Sequence, residues 1–275
     1  MTSRAPSRAL VIARTDLRQL RQSRDFWVPL AIIAGLFFVV LPAVLLLLIT
    51  HVSDVHLVKQ LSDIVGSLPK QLRARVKGAP GPAQASYALA VYLFAPLAII
   101  VPLTVSSAVG ANTVIGERER GSGEFLAHSP AREREIYVGK LIASLVPGYL
   151  AAAVGFACYS LVVNLTVGPK VGGWFFPTRN WWILVLWVLP PFIALALAVI
   201  LAISAKVSSA AAAQQASALV TLPLILVAYT VASGTLFRAE AVALVVGAVA
   251  WIAAFVALWR GSRAVQRERL LGMGG

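Results

Sequence analysis

The stretch GERERGSGEFLAHSPAREREIYVGK, residues 116–140, carries five acidic residues (Glu117, Glu119, Glu124, Glu133, Glu135) and five basic ones (Arg118, Arg120, Arg132, Arg134, Lys140), between long apolar runs. Charge at that density has to sit in water, and the runs beside it have to leave water, so the stretch reads as a loop between two membrane-crossing helices. The preceding helix runs on through Glu117–Arg120 until Gly121. Ser122 caps a short helix carrying Glu124, Phe125 and Leu126, and Ser129, with Pro130 at the first helical position, restarts the chain into the next span. That places a short helix across the exits of two spans. Two readings stay open: Phe125 and Leu126 fill a cleft on a partner while the charges set register, or the loop is simply solvated and held by pairs such as Arg120 with Glu124.

Outward from the loop the chain is mostly apolar. Of its 275 residues 59% are hydrophobic and 13% charged, and its mean hydropathy of +0.82 is too high for a soluble domain of this length. Six runs, residues 27–49, 87–109, 142–165, 183–203, 216–233 and 241–259, approach or exceed the roughly 18–20 residues that cross a ~30 Å hydrocarbon core as helix. The expectation is an all-α, polytopic membrane protein forming one domain over residues 1–275. The net charge of +13 does not point to nucleic acid, because the basic residues cluster beside apolar runs, where they set topology and meet anionic lipid. The single cysteine, Cys158, lies in an apolar run and can form no intrachain disulfide. The first apolar run is span-length and lacks a small-residue cleavage site, so it reads as an uncleaved anchor.

Residues 8–24 read as an amphipathic helix, with Leu10, Ala13, Leu17 and Leu20 on one stripe and Arg14, Arg18 and Arg21 on another, lying in the interface with its arginines on lipid phosphates. Residues 51–85 are too polar to span and are expected as short helices on the outer surface, ended by GAPGP at 78–82. Pro29 falls in a first helical turn, whereas Pro42, Pro190 and Pro191 are expected to kink their spans. Trp174, Phe175, Phe176, Trp181 and Trp182 read as an interfacial aromatic girdle. With six spans, sixteen Lys and Arg residues fall on the face holding both termini and the charged loop and eight on the other. That face is expected to be cytoplasmic, in the plasma (inner) membrane.

No catalytic constellation emerges. Phosphate-binding P-loop, H-E-x-x-H and G-x-S-x-G patterns are absent, so ATP and Mg, if used, belong to another chain. His51, Asp54 and His56 are split around a helix by their spacing, and no metal site is assigned. The six runs hold no Asp, Glu, Lys or Arg deep inside, which disfavours an ion-coupled carrier. Their polar members, among them Thr104, Ser106, Asn164, Gln215 and Thr221, either line a path suited to an apolar or amphiphilic substrate or join helices by hydrogen bonds.

The loop resembles the E-R-E-R-G-[ST]-x-E-x-L-L-x-x-P-x-x-R-x-[EQ]-I-x-x-G-K signature of ABC-2 type permeases, the membrane subunits of ATP-binding-cassette exporters. Glu117, Arg118, Glu119, Arg120, Gly121, Ser122, Glu124, Leu126, Pro130, Arg132, Ile136, Gly139 and Lys140 match, and Phe125 stands where Leu is commoner. Residues 12–26 resemble that family's amino-terminal connecting helix and 204–224 its segment entering span five. The resemblance implies outward export, a second permease subunit (identical or not), and a separate nucleotide-binding ATPase gripping a coupling helix within residues 116–140. The gripping residues it implies are Glu117 to Gly121, Glu124, Phe125, Leu126, Pro130 and Arg132. The alternative is an ATPase-driven mechanical transducer that moves no solute and acts on an outer partner through residues 52–77.

Overall fold

The computed structural model describes residues 8–51, 76, 78–119, 130–204 and 240–264, together with 212, 215, 218–219, 221–223 and 225–226. Helix α1 (Arg8–Gln22) leads into α2 (Arg24–Gly35), which continues through a π-helical turn (Leu36–Val40) into α3 (Leu41–His51). Next come α4 (Gly81–Ala88), a π turn (Leu89–Leu93) and α5 (Leu97–Glu119). Helix α6 (Glu133–Thr166) is followed by a loop, α7 (Arg179–Ile183), a π turn (Leu184–Val188) and α8 (Leu189–Ser204), and α9 (Glu240–Ala264) ends the described chain. Among the described residues there is no strand.

Among the described residues, five helical segments are long and apolar enough to cross a membrane: Trp27–Ile49, Gly81–Gly110, Glu133–Lys170, Arg179–Ile203 and Ala241–Arg263. The expected span at 216–233 is helical at its described positions, and its other residues lie outside the described set. The expected short coupling helix, capped by Ser122 and carrying Glu124, Phe125 and Leu126, and most of the outer segment (52–75 and 77) also lie outside it. The second span starts at Gly81, six residues before the expected 87. Gly78 turns the chain with φ +85°, and Pro82 sits in the first helical turn, where its missing N–H costs nothing.

All three π turns lie just ahead of prolines. Leu41, Phe94 and Leu189 donate their N–H groups five residues back, to Leu36, Leu89 and Leu184. Pro42, Pro96 and Pro190 follow within two residues. A proline leaves the carbonyl four residues earlier without its helical donor, and a widened turn redistributes the ladder before that point. The expected kinks are thus locally rewound helix.

Helix α6 is the hub, packing against α1, span one, α5, α8 and α9. Its 34 residues give about 51 Å of helix at ~1.5 Å per residue, well beyond a ~30 Å hydrocarbon core. Close approach depends on small residues, as it does when helices pack without a hydrophobic driving force. A Cβ on Gly155 would collide with the Phe38 ring of span one, and one on Gly148 with Ser106 Oγ of α5.

Helix α1 lies against the loop-side end of α6. Its buried residues are Ala9 and Ala13, with Ile12 packing on the cluster of Ala131, Ile136, Tyr137 and Leu201, while Leu10 is 52% exposed. Of the expected apolar stripe Ala13 is buried but Leu10 is not, and Ala9 takes its place, because Gly139 brings the helices so near that its missing Cβ would stand 2.9 Å from the Ala9 carbonyl oxygen. Arg14, Arg18 and Arg21 are exposed.

The aromatic girdle divides. Trp174 and Trp182 are exposed, but Phe175, Phe176 and Trp181 are core residues. Trp181 stacks on Tyr159 at 5.2 Å between ring centroids and meets Phe176 edge-on at 4.8 Å.

Candidate functional site

Two places bring together residues singled out by the sequence: the exit of the charged loop and a cleft beside α5. At the loop, α5 is helical through Glu119, as the continuation through Glu117–Arg120 requires. The side chains of Glu117, Arg118 and Glu119, and all of Arg120, Gly121, Glu124, Phe125 and Leu126, lie outside the described residues.

Helix α6 begins at Glu133, so Pro130 is not its first residue. The Glu135 carboxylate accepts the Arg132 backbone N–H at 2.7 Å, which occupies a donor otherwise orphaned at the helix start and sets the boundary there. Pro130 is exposed, and its carbonyl accepts the Arg8 guanidinium at 2.6 Å. Ala131 is buried, while Arg132, Glu133 and Arg134 are exposed. The exit is thus a fixed shoulder: one end of α1 is bonded to it, and the same helix is packed on α6 one turn further along.

Lys140 sits on that shoulder and is fully buried. Sequence reasoning placed it just outside a span, because a Lys two residues before an apolar run ordinarily reaches water. Its neighbour Gly139 is where α1 approaches this turn most closely, with Ala9 and Ile12 against it.

The cleft has a volume of about 210 Å³ and is lined by Thr104, Ser107 and Ala108 of α5 and by Ala218, Thr221, Leu222 and Ile225. Thr221 Oγ1 donates to Ser107 Oγ at 2.9 Å, and Thr104 Oγ1 donates to the Ile100 carbonyl at 2.8 Å. With its own proton committed to the helix, the Thr104 hydroxyl offers the cleft lone pairs. The wall is apolar with three hydroxyls, and nothing in it can act as an acid, base or nucleophile.

The five polar positions suspected of lining a path are dispersed. Thr104 and Thr221 share the cleft. Ser106 is buried on another face of α5, at the contact with Gly148. Gln215 is exposed. Asn164 fastens a loop: its Oδ1 accepts the Phe175 and Phe176 N–H groups at 2.9 and 3.0 Å, and its Nδ2 donates to the Phe176 carbonyl at 2.6 Å and the Ser160 carbonyl at 2.8 Å. Ser107 completes the cleft; its signal was the Thr104 spacing of three, which puts both hydroxyls on one helical stripe.

A helical hub, several apolar spans and a charge-rich connection define a multi-pass membrane protein. Residues 10–243 match the family model described as ABC-2 family transporter protein, and the chain belongs to that family. Its members are membrane components that are not themselves ATPases, and membership implies association with an ATP-binding subunit. No curated protein sequence matches the chain.

Proposed function

We propose that this chain is the permease subunit of an ABC exporter that moves an amphiphilic or hydrophobic substrate outward, driven by ATP and Mg held on a separate nucleotide-binding subunit. The charged loop and both termini face the cytoplasm, where residues 116–140 receive the ATPase. A second permease subunit, identical or related, faces this one around the path.

The observation that carries the reading is the mechanical continuity of the loop exit. Arg8 is bonded to Pro130, α1 is seated on α6, and α6 touches the other described spans. A displacement applied to the loop therefore reaches the whole bundle through packed, close-contact helices. The cleft supports the substrate class: hydroxyls in an otherwise apolar wall accept an uncharged or amphiphilic group without burying an unpaired charge.

Reversing Glu117 and Glu119 together to Lys tests the coupling role. The variant is expected to insert in the membrane in normal amount and to lose co-purification of the ATPase. Undiminished co-purification overturns this assignment of the loop.

A further inference from the structure

A second, wholly apolar groove of about 340 Å³ lies between span one and α6. Trp27, Ala34 and Phe38 form one wall and Leu150, Gly155 and Cys158 the other. It is concave because its walls carry small residues: a Cβ on Gly35 would meet nothing within 4 Å. The groove follows span one from Trp27 to Val39, about 18 Å of helix at ~1.5 Å per residue. That is close to the depth of one leaflet of a ~30 Å core.

The charge at its mouth says what fills it. Arg24, Trp27, Ala31 and Ala34 fall at i, i+3, i+7 and i+10 and so share one helical stripe. One turn below the apolar channel that stripe ends in an exposed cation, and Arg21, also exposed, precedes it in the last turn of α1. A slot one leaflet deep under a cationic rim matches a single molecule with a hydrocarbon tail and a negatively charged head.

We propose that this groove holds one acyl chain of an anionic phospholipid whose headgroup lies against Arg24 and Arg21. The site is separate from the hydroxyl cleft and does not depend on the export reading. Because span one and α6 form its two walls and α1 leads directly into span one, an occupied groove braces the amino-terminal end of span one against the hub.

The full-length protein in vesicles of phosphatidylcholine is mixed with a photoactivatable phosphatidylglycerol or the matching phosphatidylcholine, both carrying the reactive group on the acyl chain. Adducts on residues 27–39 and 150–158 are counted against those on the exposed face of α9, at Val245, Val249, Ile252 and Phe255. The groove-to-α9 ratio is expected to be at least about fivefold higher for phosphatidylglycerol, the gain from a single basic residue beside an anionic head. Arg24→Gln with Arg21→Gln should reduce it to the phosphatidylcholine value, and Gly35→Leu should deplete groove adducts with both lipids. Equal wild-type ratios, or a preference that survives the double Gln variant, overturn the proposal. So does a groove free of adducts in which Cys158, the chain's single cysteine, cross-links to Cys158 of a second copy.

Discussion

The indole N–H of Trp181 donates to the backbone carbonyl of Val91 at 2.9 Å, across 90 residues of sequence. The Tyr159 hydroxyl donates to the adjoining carbonyl, that of Ala90. Both acceptors are made available by the break in span two. In a regular helix Ala90 would receive the Phe94 N–H and Val91 the Ala95 N–H, but these go to Leu89 and Tyr92. An orphaned carbonyl has no water to turn to inside a bilayer, so the break before Pro96 persists because two aromatic donors from the third and fourth spans satisfy it.

Trp181→Phe keeps the ring contacts and removes the donor. It is expected to lower stability by about 1–3 kcal/mol, the penalty for a buried carbonyl left unpaired. Trp181→Ala should cost about 3–5 kcal/mol through the cavity as well. Thermal unfolding of the purified protein in detergent measures both, and wild-type stability in Trp181→Phe would show that the hydrogen bond contributes nothing.

Asn164→Leu preserves volume but strips partners from the Phe175 and Phe176 N–H groups and the Phe176 carbonyl. A loss of at least about 1–3 kcal/mol is expected, together with faster proteolysis between residues 167 and 178, while the charged-loop end stays as resistant as in the wild type. Limited proteolysis with mapped cleavage sites separates the two ends.

Gly139→Leu should detach α1 from α6, because the new side chain must occupy the space of Ile12 and the Ala9 carbonyl. The expected result is cleavage within residues 8–22 by trypsin under conditions where the wild type resists. Gly35→Ala, with open space around its Cβ, serves as the control and should leave α1 protected.

In the cleft, Thr221→Val and Ser107→Ala each delete one side of the same hydrogen bond. A double-mutant cycle on thermal stability is expected to give a coupling of about 0.6 kcal/mol, with about 1.7 as the upper end for helix-to-helix bonds in membranes. If the cleft takes substrate, transport should fall further in the single variants than stability alone explains.

The spans, the charged loop and the punctuating prolines are legible in the sequence because each is an encounter between a local stretch and its solvent. A 20-residue apolar run leaves water whatever surrounds it, and ten charges within residues 116–140 do not. The motif there was also enough to indicate the family that residues 10–243 match. The facing of the helices was not legible. A span apolar on every side carries no periodic signal to say which side meets a neighbour and which meets lipid. Trp181 and Trp182 are adjacent and chemically identical, yet one is 1% and the other 47% exposed. The Val91 carbonyl left over by a distant proline break and the Tyr159 and Phe176 rings select between them. Likewise Leu10 looked like the apolar face of α1 together with Ala13, and Gly139 on another helix, meeting Ala9 and Ile12, left Ala13 buried but Leu10 exposed. Sequence alone determined what must enter the membrane and what must stay in water, since transfer free energy is a local property. Tertiary structure decided which groups meet, since close approach and hydrogen-bond satisfaction belong to pairs of residues far apart in the chain.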